Sequence, residues 1–134
     1  MSEHDDDLAA LLTTAGVEIS TDGLAWVEDM LLDEERPIQA WPIGGLLLAT
    51  NERLLRFLFE RTRKGTRLTF CDSLFLKDIV RVVARFDNTV GELSFLTAGQ
   101  HESVVLSATS DDIETVTDAW RGIHRLALAA KRRA

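Results

Sequence analysis

The sequence predicts a mainly β domain, an antiparallel barrel or sandwich, capped by one amphipathic C-terminal helix and preceded by short N-terminal helices. From Ile38 to Leu106 short apolar runs alternate with polar residues and are punctuated by turn residues at close spacing, as in antiparallel all-β domains. From Ile113 the period lengthens: Ile113, Val116, Trp120, Ile123 and Ala127 recur at helical spacing. At 134 residues the chain can bury one core without disulfide or metal staples. No repeat, low-complexity tract or linker divides it, so residues 1–134 are expected to form a single domain, with 1–33 an acidic helical lead-in and 34–134 the barrel and its helix.

Leu8, Leu11 and Leu12 fall on one helical face between Asp6 and Ala15, and Gly16 follows as a stop. Ser20, Thr21 and Asp22 offer caps to a second helix carrying Leu24, Val27 and Leu31, with Trp26 and Met30 beside that stripe. Pro37 and Pro42 flank Ile38 to Trp41 and confine any strand there to an edge, because proline donates no ladder hydrogen bond. Leu46 to Thr50 is a continuous apolar run, turned at Asn51-Glu52 into Leu54 to Glu60, which reads as a hairpin.

Leu55, Phe57 and Phe59 then alternate with Arg56, Leu58 and Glu60, and past Lys64-Gly65 the pattern sets Leu68 and Phe70 against Arg67, Thr69 and Cys71. Val80, Val82, Ala84 and Phe86 are expected on one face, with Arg81, Val83 and Arg85 on the other. After the turn at Asp87-Asn88, Leu93, Phe95 and Thr97 alternate with Glu92 and Ser94; Gly99 marks the next turn, and Val104 and Leu106 the last strand. Asp111, Asp112 and Glu114 precede the closing apolar stripe and are read as a helix cap, with Trp120 at the centre of the stripe as core.

The net charge of −7 argues against sequence-independent nucleic-acid binding, which depends on neutralising many phosphates. Residues 1–52 hold 12 acidic residues against one basic, and residues 53–134 hold 14 basic against 10 acidic. This split favours docking of the leading helices on a basic sheet surface, burying Leu8, Leu11 and Leu12. No apolar run approaches the roughly 20 residues that span a bilayer, and Met1 to Asp7 is acidic where an export signal is basic. With Cys71 the only cysteine no internal disulfide forms, and a cytoplasmic location is expected.

Gly45-Leu46-Leu47-Leu48-Ala49-Thr50-Asn51-Glu52-Arg53-Leu54-Leu55 resembles the first strand, turn and strand of bacterial pleckstrin-homology-like (PH-like) domains, where Thr-Asn-x-Arg-Leu occupies the hairpin. Leu31 to Glu35 is similar to the family's approach to its first strand, Leu76 to Val82 to its Asp-Ile-x-x-Val strand start, and Trp120 to the tryptophan of its final helix. The two leading helices depart from that pattern. The resemblance implies a PH-like barrel plugged by its helix; members of that fold read phosphoinositides, bind peptides or assemble, so it does not choose among tasks.

Arg53, Arg56, Arg61, Arg63, Lys64 and Arg67 form the densest basic stretch and are the candidate contacts for an anion or an acidic partner. The same charges also serve to keep a sheet edge from pairing. Cys71 has no sequence link to His4, His101 or His124 that marks a nucleophile and base, and His4 with Asp5, Asp6 and Asp7 is a solvated terminal run before it is a metal cage. No phosphate-cradling loop, nucleophile elbow or paired Cys/His spacing is present, so no catalytic residue, metal or cofactor is expected. The reading is a non-enzymatic module binding protein or itself through a sheet edge or the groove beside the last helix; the alternative is anionic membrane lipid at the Arg53 to Arg67 hairpin.

Overall fold

The structure, a computed structural model, describes residues 3–97 and 103–133, with the side chains of 7–97 and 109–133. The expected turn at Gly99 and His101, and the side chains of His4, Val104 and Leu106, lie outside these. Helices α1 (Glu3–Thr14) and α2 (Thr21–Met30) lead into β1 (Pro37–Trp41), β2 (Leu46–Thr50), β3 (Arg53–Thr62) and β4 (Gly65–Phe75), which form one antiparallel sheet in that order. A 3-10 turn at Leu76–Asp78 passes the chain to β5 (Ile79–Phe86), β6 (Gly91–Thr97) and β7 (Ser103–Ser110), a second antiparallel sheet, and α3 (Ile113–Arg133) closes the chain. The architecture is therefore a two-sheet sandwich with a C-terminal helix.

Helix α1 stops where the chain turns left-handed: Gly16 has φ +76°, its N–H bonds the Thr13 carbonyl at 3.1 Å and the Val17 N–H bonds Leu12 at 2.9 Å. This pair of hydrogen bonds satisfies carbonyls that the helix end would orphan, and it brings Val17 beside Leu12 in the same apolar cluster. Ser20 caps α2 by accepting the Gly23 N–H at 3.1 Å and donates its own hydroxyl to Thr66 on β4 at 2.7 Å.

All five residues of β2 are buried, because the first sheet is covered on both faces. Leu47 and Ala49 point into the space between the sheets, with Leu54, Leu93, Phe95 and the α3 residues Val116, Ala119 and Ile123. Leu46 and Leu48 point outward, where Leu8, Leu12 and Val27 of the leading helices cover them together with Leu55 and Phe57. The helices thus dock, but on an apolar sheet face rather than the basic surface expected. Each buried leucine contributes roughly 1.5–3 kcal/mol, against a fraction of that for an exposed ion pair, so apolar area decides the docking face.

The residues carrying the family resemblance turn out to build one corner. Thr50 donates to Glu35 at 2.7 Å and accepts the N–H groups of Glu52 and Arg53 at 3.1 and 2.9 Å, which closes the β2–β3 turn. Asn51 accepts the Arg36 N–H at 2.7 Å, joining that turn to the start of β1.

Two β-bulges alter the expected faces. Phe59 pairs with Leu68 and Leu58 with Phe70, leaving Thr69 as the extra residue; the alternation reverses there, and Phe70 is exposed rather than sharing the Leu68 face. Ile79 pairs with Thr97 and Arg81 with Leu96, so Val80 is the extra residue and stands 37% exposed, outside the face of Val82 and Ala84. Phe86, expected on that inner face, is 49% exposed at the strand end. At the start of α3 it is Asp112 that caps, accepting the Thr115 N–H at 3.3 Å and hydroxyl at 2.8 Å, which holds its carboxyl below the usual range.

Candidate functional site

The six basic candidates do not converge. Arg53 is turned inward: its guanidinium meets Glu35 through Nη2 at 2.6 Å and Nε at 2.9 Å, and reaches the Met30 carbonyl at 2.9 Å, with 13% of the side chain exposed. Arg56 donates to the Gly44 carbonyl at 3.0 Å and lies over the Phe70 ring. Arg67 pairs with Glu60 at 2.9 Å on the surface. Arg61, Arg63 and Lys64 are left exposed at the β3–β4 tip, where Thr62 pairs with Gly65. Cys71 is on β4, its thiol pushed up by burial, with a smaller opposing effect of Arg53. Among the described residues no group of three or more His, Cys, Asp or Glu is placed to hold a metal.

Apolar surface gathers elsewhere, along β5. That strand ends the second sheet, paired with β6 alone among the described residues, and α3 packs against it. Between them lies a groove of about 560 Å³, lined on the strand by Val80, Arg81, Val82, Val83, Ala84 and Phe86 and on the helix by Thr117, Trp120 and His124. Val116, Ala119, Ile123 and Ala127 take the buried stripe of α3, which leaves Trp120 at its flank, 36% exposed and not at the core centre expected. Its indole N–H donates to the Val82 carbonyl at 2.9 Å, and its ring packs on His124 with centroids 4.9 Å apart.

A second depression of about 700 Å³ lies between α1, β1 and the start of α3. Two of its carboxylates are engaged in holding the fold: Asp118 accepts the Trp41 indole N–H at 3.2 Å and Asp112 caps α3. The β5 groove carries exposed apolar side chains on both walls, Val80 and Phe86 on the strand and Trp120 on the helix.

The sequence pointed to a sheet edge or the groove beside the last helix, but the residues it singled out were the basic ones and not those lining this groove. Its one sequence signal is a second stripe on the last helix, Thr117, Trp120, His124 and Leu128, next to the buried one. Leu128 on that stripe is exposed as well.

No protein-family model and no curated protein sequence matches the chain. Among solved structures it is similar to a pleckstrin homology domain from Shewanella amazonensis, 24% identical, with 81% of this chain and 97% of that chain covered at a TM-score of 0.50. A protein from Shewanella loihica with a pleckstrin-homology domain is 17% identical, with 85% and 95% covered at a TM-score of 0.48. No helix of the described residues is long and apolar enough to cross a membrane. Among the described residues, seven strands in two antiparallel sheets closed by a C-terminal helix, aligned over nearly the whole of the Shewanella amazonensis domain, give this chain a PH-like fold.

Proposed function

We propose that the chain is a non-enzymatic interaction module that takes an extended segment of a partner protein in the groove between β5 and α3. The observation that carries this reading is the β5 edge, paired with β6 alone among the described residues, beside exposed apolar side chains of both walls, Val80 and Phe86 on the strand and Trp120 on the helix. A strand laid on such an edge gains main-chain hydrogen bonds, while pockets beside it select alternate side chains. Apolar groups held open to water on one face add the driving force.

Peptides selected from a randomised displayed library, titrated into 15N-labelled protein, test the reading. The amides of Val80 to Phe86 and Thr117 to His124 are expected to shift. Selected peptides that instead perturb only α1 and α2, or only the Arg61 to Lys64 tip, would reject it.

A further inference from the structure

We propose that α3 pairs with α3 of a second copy of this chain, the two helices lying antiparallel about a two-fold axis beside Trp120. The proposal does not require the groove to take a partner segment. It stands on an apolar stripe of the helix that repeats itself when read backwards, and on a reversal of charge along the same helix.

Ile113, Thr117, Trp120, His124 and Leu128 are three or four residues apart and so share one side of α3. This side is separate from the buried stripe: Ile113 is 39% exposed, Trp120 36% and Leu128 49%. An apolar residue stands at either end, a polar one inside each, and the tryptophan at the middle. Antiparallel helices related by a two-fold axis bring together residues equidistant from a common midpoint, since both rise about 1.5 Å per residue. Ile113 with Leu128 and Thr117 with His124 share a midpoint between Trp120 and Arg121, which brings the two tryptophans together. Strand β5 extends the patch in the same symmetric way. Trp120 is level with Val82, to which it is bonded, and Phe86 is level with Val116, against which its pair partner Gly91 packs. The exposed Phe86 and Val80 therefore lie on opposite sides of the midpoint.

The solvent side of α3 carries Glu114 and Asp118, then Arg121 and Arg125, all exposed. Antiparallel pairing sets Glu114 against Arg125 of the other copy and Asp118 against Arg121. Their midpoint falls one residue from that of the apolar pairs, about 1.5 Å along the axis and within side-chain reach. Parallel pairing would set like charges together. The helix dipole favours acidic residues in the first turn and basic ones in the last, but its effect ends there, and Asp118, Arg121 and Arg125 lie beyond it. Glu114, Arg121 and Arg125 form no salt bridge among the described residues, and Asp118 accepts the Trp41 indole through one of its two oxygens. The net charge of −7 opposes approach of two copies, but salt screens it over about 8 Å at physiological ionic strength, so the charges in contact decide.

Sedimentation equilibrium of the full chain at physiological salt is expected to show a monomer–dimer equilibrium, and on dilution of 15N-labelled protein the amides from Ile113 to Leu128 should shift. By symmetry Arg125→Glu turns two attractions into two repulsions and is expected to weaken the dimer about ten-fold. Adding Glu114→Arg to that variant should restore most of the loss, and Leu128→Asp should weaken the dimer by removing its apolar contact. All three side chains are exposed, so the fold does not depend on them. A parent that stays monomeric at every concentration overturns the proposal. So does a dimer indifferent to both Arg125→Glu and Leu128→Asp, which would place the association on another surface, and a double variant no better than Arg125→Glu overturns the antiparallel register. None of these results touches the groove reading, which fails instead when selected peptides leave the β5 amides unshifted.

Discussion

Glu35 and Arg53 join four parts of the chain: the end of α2 through the Met30 carbonyl, the segment before β1, the β2–β3 turn through Thr50, and β4 through Ser73. Burial disfavours the charged Glu35, but hydrogen bonds from Arg53, the Leu32 N–H and Thr50 outweigh it and hold its carboxyl below the ordinary value of 4.5. A value lowered by folding means that this contribution is complete above the pKa of the unfolded chain and is lost as pH falls through the folded one. Urea unfolding should show stability dropping below about pH 4.5, and Glu35→Gln should flatten that acid limb. Arg53→Ala leaves a carboxylate buried and should cost about 3–5 kcal/mol; a loss under about 1 kcal/mol would show the pair to be dispensable. Trp120→Ala, at a side chain one-third exposed, should cost roughly 1–3 kcal/mol, below the 3–5 typical of a fully buried aromatic.

Helices α1 and α2 form a layer over a sheet whose other face already has its own core. Leu8 and Leu12 of α1 meet Leu46, Leu48, Leu55 and Phe57, none of which belongs to the cluster under α3. Deleting Met1 to Gly16 is therefore expected to leave the inner core assembled while exposing a contiguous apolar face. Melting temperature should fall and light scattering should report self-association. A truncated chain equal to the parent in melting temperature and solution mass would show that α1 contributes nothing to the sheet beneath it. Leu12→Asp provides a milder version and should have the same direction, because it places a charge in the same contact.

At the scale of the whole molecule the charges are dispersed. Of the six basic candidates, Arg53, Arg56 and Arg67 are engaged by Glu35, Gly44 and Glu60, and the remaining three sit at one hairpin tip on a chain of net charge −7. Each cation near an anionic surface is worth about 1 kcal/mol, and three give only weak, salt-sensitive attachment. Co-sedimentation with phosphatidylserine vesicles at physiological salt should therefore leave the protein in the supernatant, with Arg61, Arg63 and Lys64 replaced by alanine making no difference. Tight binding abolished by those substitutions would promote the lipid reading over the β5 groove.

What was legible in the residues was the order of elements, because strand and helix differ in the period of their apolar residues and turns announce themselves by Gly, Pro, Asn and Asp. The PH-like resemblance lay in Thr50-Asn51-Glu52-Arg53-Leu54, a local turn whose hydrogen bonds come from neighbours in sequence, together with Glu35. The faces at Phe70 and Val80 were not legible, since a bulge adds one residue to a strand without changing its composition and reverses every side chain beyond it. Nor was the fate of each arginine, because Arg53 and Arg61 differ only in what tertiary contact brings to them, a buried carboxylate in one case and open solvent at a hairpin tip in the other. The groove depends on the same distinction: the sequence determined that α3 carries apolar residues at helical spacing, and the packing angle of α3 against β5 decided that Val116 and Ile123 are core while Trp120 stands at the edge, bonded to Val82.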